Sequence, residues 1–254
     1  MTQPGTKALV EVKDYLDHLL QVAGLEEEGN GLVVGGRPMV ARIGLAVNCS
    51  FQAIEEAIRR DCDLLITHHA AWSRIDQHLS ERKYSRLRQA GINYYAAHEC
   101  LDQAREFGTA DALARAVRIA VQGRFHPEGE GEYGIHGLTS GHFLEFIARV
   151  GHQLGAEPRR WKNQESFGHV AVVPGWGGQT DWIVQAQALG CDTFLTGETN
   201  MFGMLFAREI GLNLVVAGHY TTETPGVMAL GARIARDLGL DVTFIPEELI
   251  EAQG

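Results

Sequence analysis

The chain has 254 residues, 45% of them hydrophobic, and 22 Lys plus Arg stand against 32 Asp plus Glu for a formal net charge of -10. That length suits one large or two small α/β domains, and the apolar share is enough for an ordinary buried core. The acidic balance, uninterrupted by any basic run, speaks against nucleic acid as a partner, and apolar runs such as residues 170–173 and 214–217 fall far short of the roughly 20 residues that span a bilayer.

Short β-rich runs alternate with helical patterns along most of the chain, which predicts βα units around largely parallel sheets. A helix is expected over residues 7–22, with Val10, Tyr15, Leu19 and Val22 near one face. After a Gly-rich turn, a strand over 43–47 leads to a helix over 51–60 that Ser50 can cap. The apolar run 64–67 is the next strand and delivers the pair His68-His69. A helix over 81–90, a strand over 92–97 and a helix over 109–120 follow. Residues 122–137 are rich in Gly, Glu, Pro and His and read as an exposed linker. Beyond it the pattern predicts helices over 140–154, 181–189, 201–210 and 225–238, and strands over 169–173, 193–196, 214–217 and 242–245.

Three strands end in nitrogen and oxygen ligands. Residues 64–67 run into His68-His69, residues 92–97 into His98 and then Asp102, and residues 214–217 into Gly218-His219 and then Glu223. Carboxyl ends of strands line one edge of an open α/β sheet, where such folds build their sites. Each pattern also has a bland reading. A strand-end histidine can be satisfied by a carbonyl, Asp102 can close an Asx-type turn, and Glu223 can complement a helix macrodipole. Their shared place at strand exits favours a metal centre, because mixed imidazole and carboxylate shells suit zinc, iron or manganese. Two ions are chemically reasonable, since one carboxylate can bridge ions about 3.5–4 Å apart. Adjacent residues leaving a strand point apart, so His68 and His69 are expected to serve different ions.

His219 and Glu223 have to meet ligands from the first hundred residues. The expected architecture is therefore two α/β domains with largely parallel sheets, the second inserted into the first: 1–125 with 213–254 as the metal-binding domain, and 126–212 as the other. Two further features carry less. The loop 174–178, Pro-Gly-Trp-Gly-Gly, could cradle an anion but reads more simply as a tight turn. Glu198 ends the run Leu195-Thr196-Gly197 and could face a cavity or be a hydrogen-bonded loop carboxylate.

The blocks Asp63-Leu64-Leu65-Ile66-Thr67-His68-His69, Ala96-Ala97-His98 with Leu101-Asp102, Thr196-Gly197-Glu198, Gly218-His219-Tyr220-Thr221-Thr222-Glu223 and Asp241-Val242-Thr243-Phe244-Ile245-Pro246 occur in that order across nearly the whole chain. In this the sequence resembles the Nif-three-like dinuclear-metal-centre hexameric proteins, whose members often carry the name GTP cyclohydrolase type 2 homologue. The resemblance implies five ligands for two divalent ions: Glu223 bridging, His69 and Asp102 on one ion, His68 and His219 on the other. It leaves His98 outside the first coordination layer or as an occasional ligand, and it implies a homo-hexameric toroid. Ala70-Ala71-Trp72, Glu99-Cys100 and Asn48 depart from the family's usual residues beside the metals, so the substrate pocket is expected to differ.

The leading functional expectation is a metal-dependent hydrolase acting on a small molecule through activated water, with His98 or Glu198 as general acid or base. The resemblance would make the substrate a purine nucleotide, which no P-loop or base-reading motif supports independently. The competing expectation is a non-catalytic metal-binding adaptor or metal-storage protein. Four scattered cysteines without C-x-x-C spacing and the lack of a leader pattern at residues 1–6 predict a reducing, cytoplasmic setting.

Overall fold

The computed structural model describes residues 5–25, 29–126 and 133–248. The chain divides into two compact units, one made of residues up to Ala104 together with those from Val227 onward, the other of Arg105–Gly226.

The first unit is built on a five-stranded sheet in the order Asp241–Phe244, Arg42–Asn48, Leu64–His69, Asn93–Ala97, Asn30–Val34. The first four strands run parallel and the last is antiparallel. Leu64–His69 and Asn93–Ala97 are buried almost throughout, as a parallel sheet covered on both faces requires. Leu65, Ala46 and Tyr94 pack with Ile54, Ala57 and Leu87 in one core cluster, and each fully buried Leu or Ile there stabilises the unit by about 1.5–3 kcal/mol. Ser50 caps the helix Phe51–Arg59 as the sequence predicts, its Oγ accepting from Ala53 N at 3.1 Å.

The second unit holds a six-stranded sheet in the order Ala120–Phe125, Gly134–Leu138, His169–Trp176, Thr193–Glu198, Asn213–Val216, Arg159–Trp161. Its three central strands are parallel and its outer pairings antiparallel. Alternation along His169–Trp176 sorts the core into two layers. Val170 and Val172 join a cluster with Phe146 and Val150, whereas Ala171 and Val173 join one with Trp182 and Ile183. Among the described residues no helix is long and apolar enough to cross a membrane.

The insertion topology agrees with expectation, but the boundaries do not. Residues 213–226 belong to the second unit because Asn213–Val216 pairs in parallel with Thr193–Glu198. The segment 105–125 joins it too, since Ala120–Phe125 pairs with Gly134–Leu138. The expected linker is thus largely a hairpin whose glycines mimic a loop in composition; residues 127–132 lie outside the described ones. The first helix is shorter than predicted, Leu9–Leu19, because Lys7–Ala8 pairs with Met39–Val40. The helix predicted over 225–238 instead begins at His219 and carries Pro225 inside it.

Candidate metal centre

In the first unit the strand Leu64–His69 runs through both histidines, because Asn48 and His69 are still in register. The two rings do not splay to opposite faces. Their centroids are 4.6 Å apart, and one ligand atom from each of His68, His69 and His98 falls within 4.8 Å of the others. His98 follows the neighbouring strand Asn93–Ala97, and the single-turn helix Glu99–Asp102 then brings Asp102 Oδ1 to 3.7 Å from His68 Nε2. The structure therefore places Asp102 beside His68. Trp72 stands edge-on to His98 with centroids 4.8 Å apart, giving the cluster an apolar wall.

The imidazoles are held in ligand-ready tautomers. His68 Nδ1 lies 2.9 Å from the Ala97 carbonyl, which can only accept, so Nδ1 carries the hydrogen and Nε2 the lone pair. His69 Nδ1 lies 2.7 Å from Asn48 Oδ1. The Asn48 amide is oriented by Glu247, whose Oε2 accepts from Asn48 N at 2.9 Å and from Nδ2 at 3.2 Å, while Oε1 accepts from Ser50 Oγ at 2.7 Å. Burial raises the Glu247 pKa above the ordinary carboxylate value despite these donors. Hydrogen bonds of this kind fix the rings of metal-binding histidines.

The second unit contributes His219, Glu223 and Glu198. His219 opens the helix His219–Leu238 directly after Gly218, so Glu223 lies one turn on along the same helix face. His219 Nε2 is 3.0 Å from Glu223 Oε1, and His219 Nδ1 is 3.3 Å from Glu198 Oε2 at the end of Thr193–Glu198. Burial alone would lower the His219 pKa, but the two carboxylates outweigh it and hold the group up at about 9. Without metal this imidazole is charged at neutral pH, and a cation binding it displaces a proton.

The loop 174–178 lies against this pair. Gly175 has φ +61 at a bulge in His169–Trp176, its N donates to Thr222 Oγ1 at 3.0 Å, and a Cβ there would collide with Glu223 Oε1. The structure thus brings His68, His69, His98 and Asp102 together in one unit and His219, Glu223 and Glu198 together in the other. Sequence reasoning missed Glu247, Ser50 as its partner, and Thr222. Asn48 carried the one legible signal, as a departure beside the strand end. The donor sets fit divalent cations: neutral imidazole nitrogens and carboxylate oxygens suit zinc, iron or manganese.

A family profile described as Duf34/NIF3 (NGG1p interacting factor 3) matches residues 8–249. A protein of Vibrio cholerae named GTP cyclohydrolase 1 type 2 homolog is 34% identical over 230 residues, 85% of this chain and 88% of its own. One of the same name from Halobacterium salinarum is 34% identical over 244 residues, 91% and 94% of the two chains. Among solved structures, a protein called ybgI, described as of unknown function, superposes with a TM-score of 0.85 at 30% identity, covering 96% of this chain and all of that one. Thermus thermophilus TTHA1606 gives 0.76 at 30% identity over the same shares. Sequence blocks, fold and a profile spanning nearly every residue agree: this chain belongs to the Duf34/NIF3 family.

Proposed function

We propose that this protein binds two divalent metal ions per chain, with His68, His69 and Asp102 as ligands in the first unit and His219 and Glu223 in the second, and that it is a metal-dependent hydrolase. The observation that carries this reading is that His68 and His69 both spend Nδ1 on protein acceptors, which leaves Nε2 as the ligand atom, while a carboxylate stands 3.7 Å from one of them. That proximity favours His68 as the partner of Asp102 on one ion. When bound, divalent ions supply Lewis acidity at a substrate oxygen and lower the pKa of water. His98, close to His68 and His69, and Glu198, against His219 Nδ1, are the groups that hold and move protons.

The relatives' names make nucleotides the first substrate class to screen. The four cysteines, all buried and none in a disulfide, support a reducing, cytoplasmic setting. Met201, Phe202 and Leu205 expose apolar side chains on one helix, which supports the homo-hexamer that the family resemblance implies.

The test is elemental analysis of the protein with a turnover screen against nucleotides, phosphoesters and cyclic amides, repeated on Asp102→Ala. Metal content should fall in the variant and turnover should vanish. Wild-type metal content in Asp102→Ala overturns the ligand assignment. Full metal loading without turnover on any substrate overturns the hydrolase and leaves a metal-binding adaptor or metal-storage protein.

A further inference from the structure

A second cluster of metal-ligating side chains lies in the second unit, on residues that neither the family blocks nor the site above uses. His136 sits opposite Ala171 in the antiparallel pairing of Gly134–Leu138 with His169–Trp176. His169, two residues before Ala171, shares that face, so the two imidazoles are diagonal neighbours across the ladder. Their nitrogens meet, His136 Nδ1 lying 2.9 Å from His169 Nε2. Cys191 arrives between the helix Thr180–Ala188 and the strand Thr193–Glu198. Its position is set from both sides: its own N donates to Ala186 O at 3.1 Å, the next N, of Asp192, donates to His169 O at 2.9 Å, and Asp192 Oδ2 accepts from His169 N at 3.0 Å. One ligand atom from each of His136, His169 and Cys191 falls within 4.8 Å of the others.

We propose that His136, His169 and Cys191 form a separate binding site for a zinc-class divalent cation, with a fourth position open to water or a small anion. Two imidazoles and a thiolate without a carboxylate select a borderline, thiophilic ion over magnesium, calcium or manganese. At zinc bond lengths such ligands stand roughly 3.3–3.6 Å apart, so rotation of the half-buried rings suffices to close the site.

The hydrogen bonding is already arranged for it. His169 Nδ1 donates to Gly190 O at 3.2 Å, which leaves Nε2 with the lone pair, and His136 Nδ1–H currently occupies that lone pair. On binding, His136 moves its hydrogen from Nδ1 to Nε2 and both facing nitrogens become ligands. Gly123, opposite His136 in the next strand, leaves room for this, since a Cβ there would lie 2.6 Å from His136 Nε2. The Cys191 thiol gives its proton to solvent as the S–metal bond forms, one proton released per ion. Burial keeps the thiol protonated in the metal-free protein, pushing its pKa up to about 12, and lowers that of His136, which stays neutral.

Cobalt(II) titrated into the metal-free full-length protein is the probe, because a thiolate ligand gives a charge-transfer absorption in the near ultraviolet that imidazole and carboxylate ligands do not. The band is expected in the wild type, expected to vanish in Cys191→Ser, and expected to persist in Cys100→Ser. His136→Gln and His169→Gln, on half-buried rings, keep the test valid if Cys191→Ser does not fold; each should weaken cobalt binding read by this band at least tenfold. Absence of the band in the wild type, its survival in Cys191→Ser, or unchanged affinity in both histidine variants overturns the site. Because Asp102→Ala leaves these three residues intact, the band should remain in that variant, which separates this site from the proposed hydrolase centre.

Discussion

Asn48 Oδ1 holds His69 Nδ1 at 2.7 Å while the Asn48 amide nitrogen donates to Glu247, so a carboxylate 199 residues away in sequence sets the tautomer of a candidate metal ligand. Asn48→Ala removes the acceptor without touching the imidazole. Metal affinity should fall about 10–100-fold, the usual effect of removing a partner of a metal-binding histidine. Isothermal titration of the metal-free variant measures it, and an unchanged affinity contradicts the role.

Glu247 also makes a pH prediction. Its folded pKa lies above the ordinary carboxylate value because burial disfavours the charge. A group with a raised folded pKa adds stability that is fully present below the unfolded value, about 4.3, and is lost as pH rises through the folded one. Lowering the pH from neutral toward that unfolded value, about 4.3, should therefore raise the melting temperature of the metal-free wild type relative to Glu247→Gln, which has no carboxyl group to titrate. Parallel melting curves across that range contradict it.

Gly175→Ala should damage the candidate ligand pair His219 and Glu223 in the second unit with no ligand changed. The new Cβ meets the Glu223 carboxylate, and φ +61 is strained for any L side chain. We expect reduced metal content by elemental analysis together with a destabilisation of about 1–3 kcal/mol from backbone strain. Full metal content and an unaltered melt would show that the loop simply moves aside.

His98→Gln separates proton transfer from ligation. If His98 is the acid or base, turnover should drop about 10²–10⁴-fold with metal content retained. Parallel loss of metal and turnover assigns it instead to the coordination shell, which its closeness to His68 and His69 also permits.

The histidine pair was legible because an unbroken apolar, partly β-branched run precedes it, and burial of Leu64–His69 inside a parallel sheet is what such a run encodes. His98, Asp102 and Glu198 were legible for the same reason, as polar residues where apolar runs stop. The hairpin of Ala120–Phe125 and Gly134–Leu138 was not. Glycines occupy positions in its pairing that a sequence reading assigns to a loop, and the expected domain boundary shifts with them. Glu247 was invisible because local spacing carries no information about a partner at the far end of the chain. The start of the last helix is obscured by Pro225, because proline marks a first turn more often than an interior position.

The two-layer sorting along His169–Trp176 makes this strand tolerant of changed side chains and intolerant of changed length. Conservative apolar replacements at Val170 or Val172 leave each layer filled. Deleting a single residue between 170 and 173 would trade the contents of the two layers, because a slip of one reverses every side chain. The same slip would turn His169 away from His136 or carry Gly175 off the Glu223 carboxylate, depending on which end of the strand holds its register. The burial that stabilises the second unit thus also serves as the gauge that spaces its polar side chains, and relatives that retain those residues should show substitutions in this strand but no gaps.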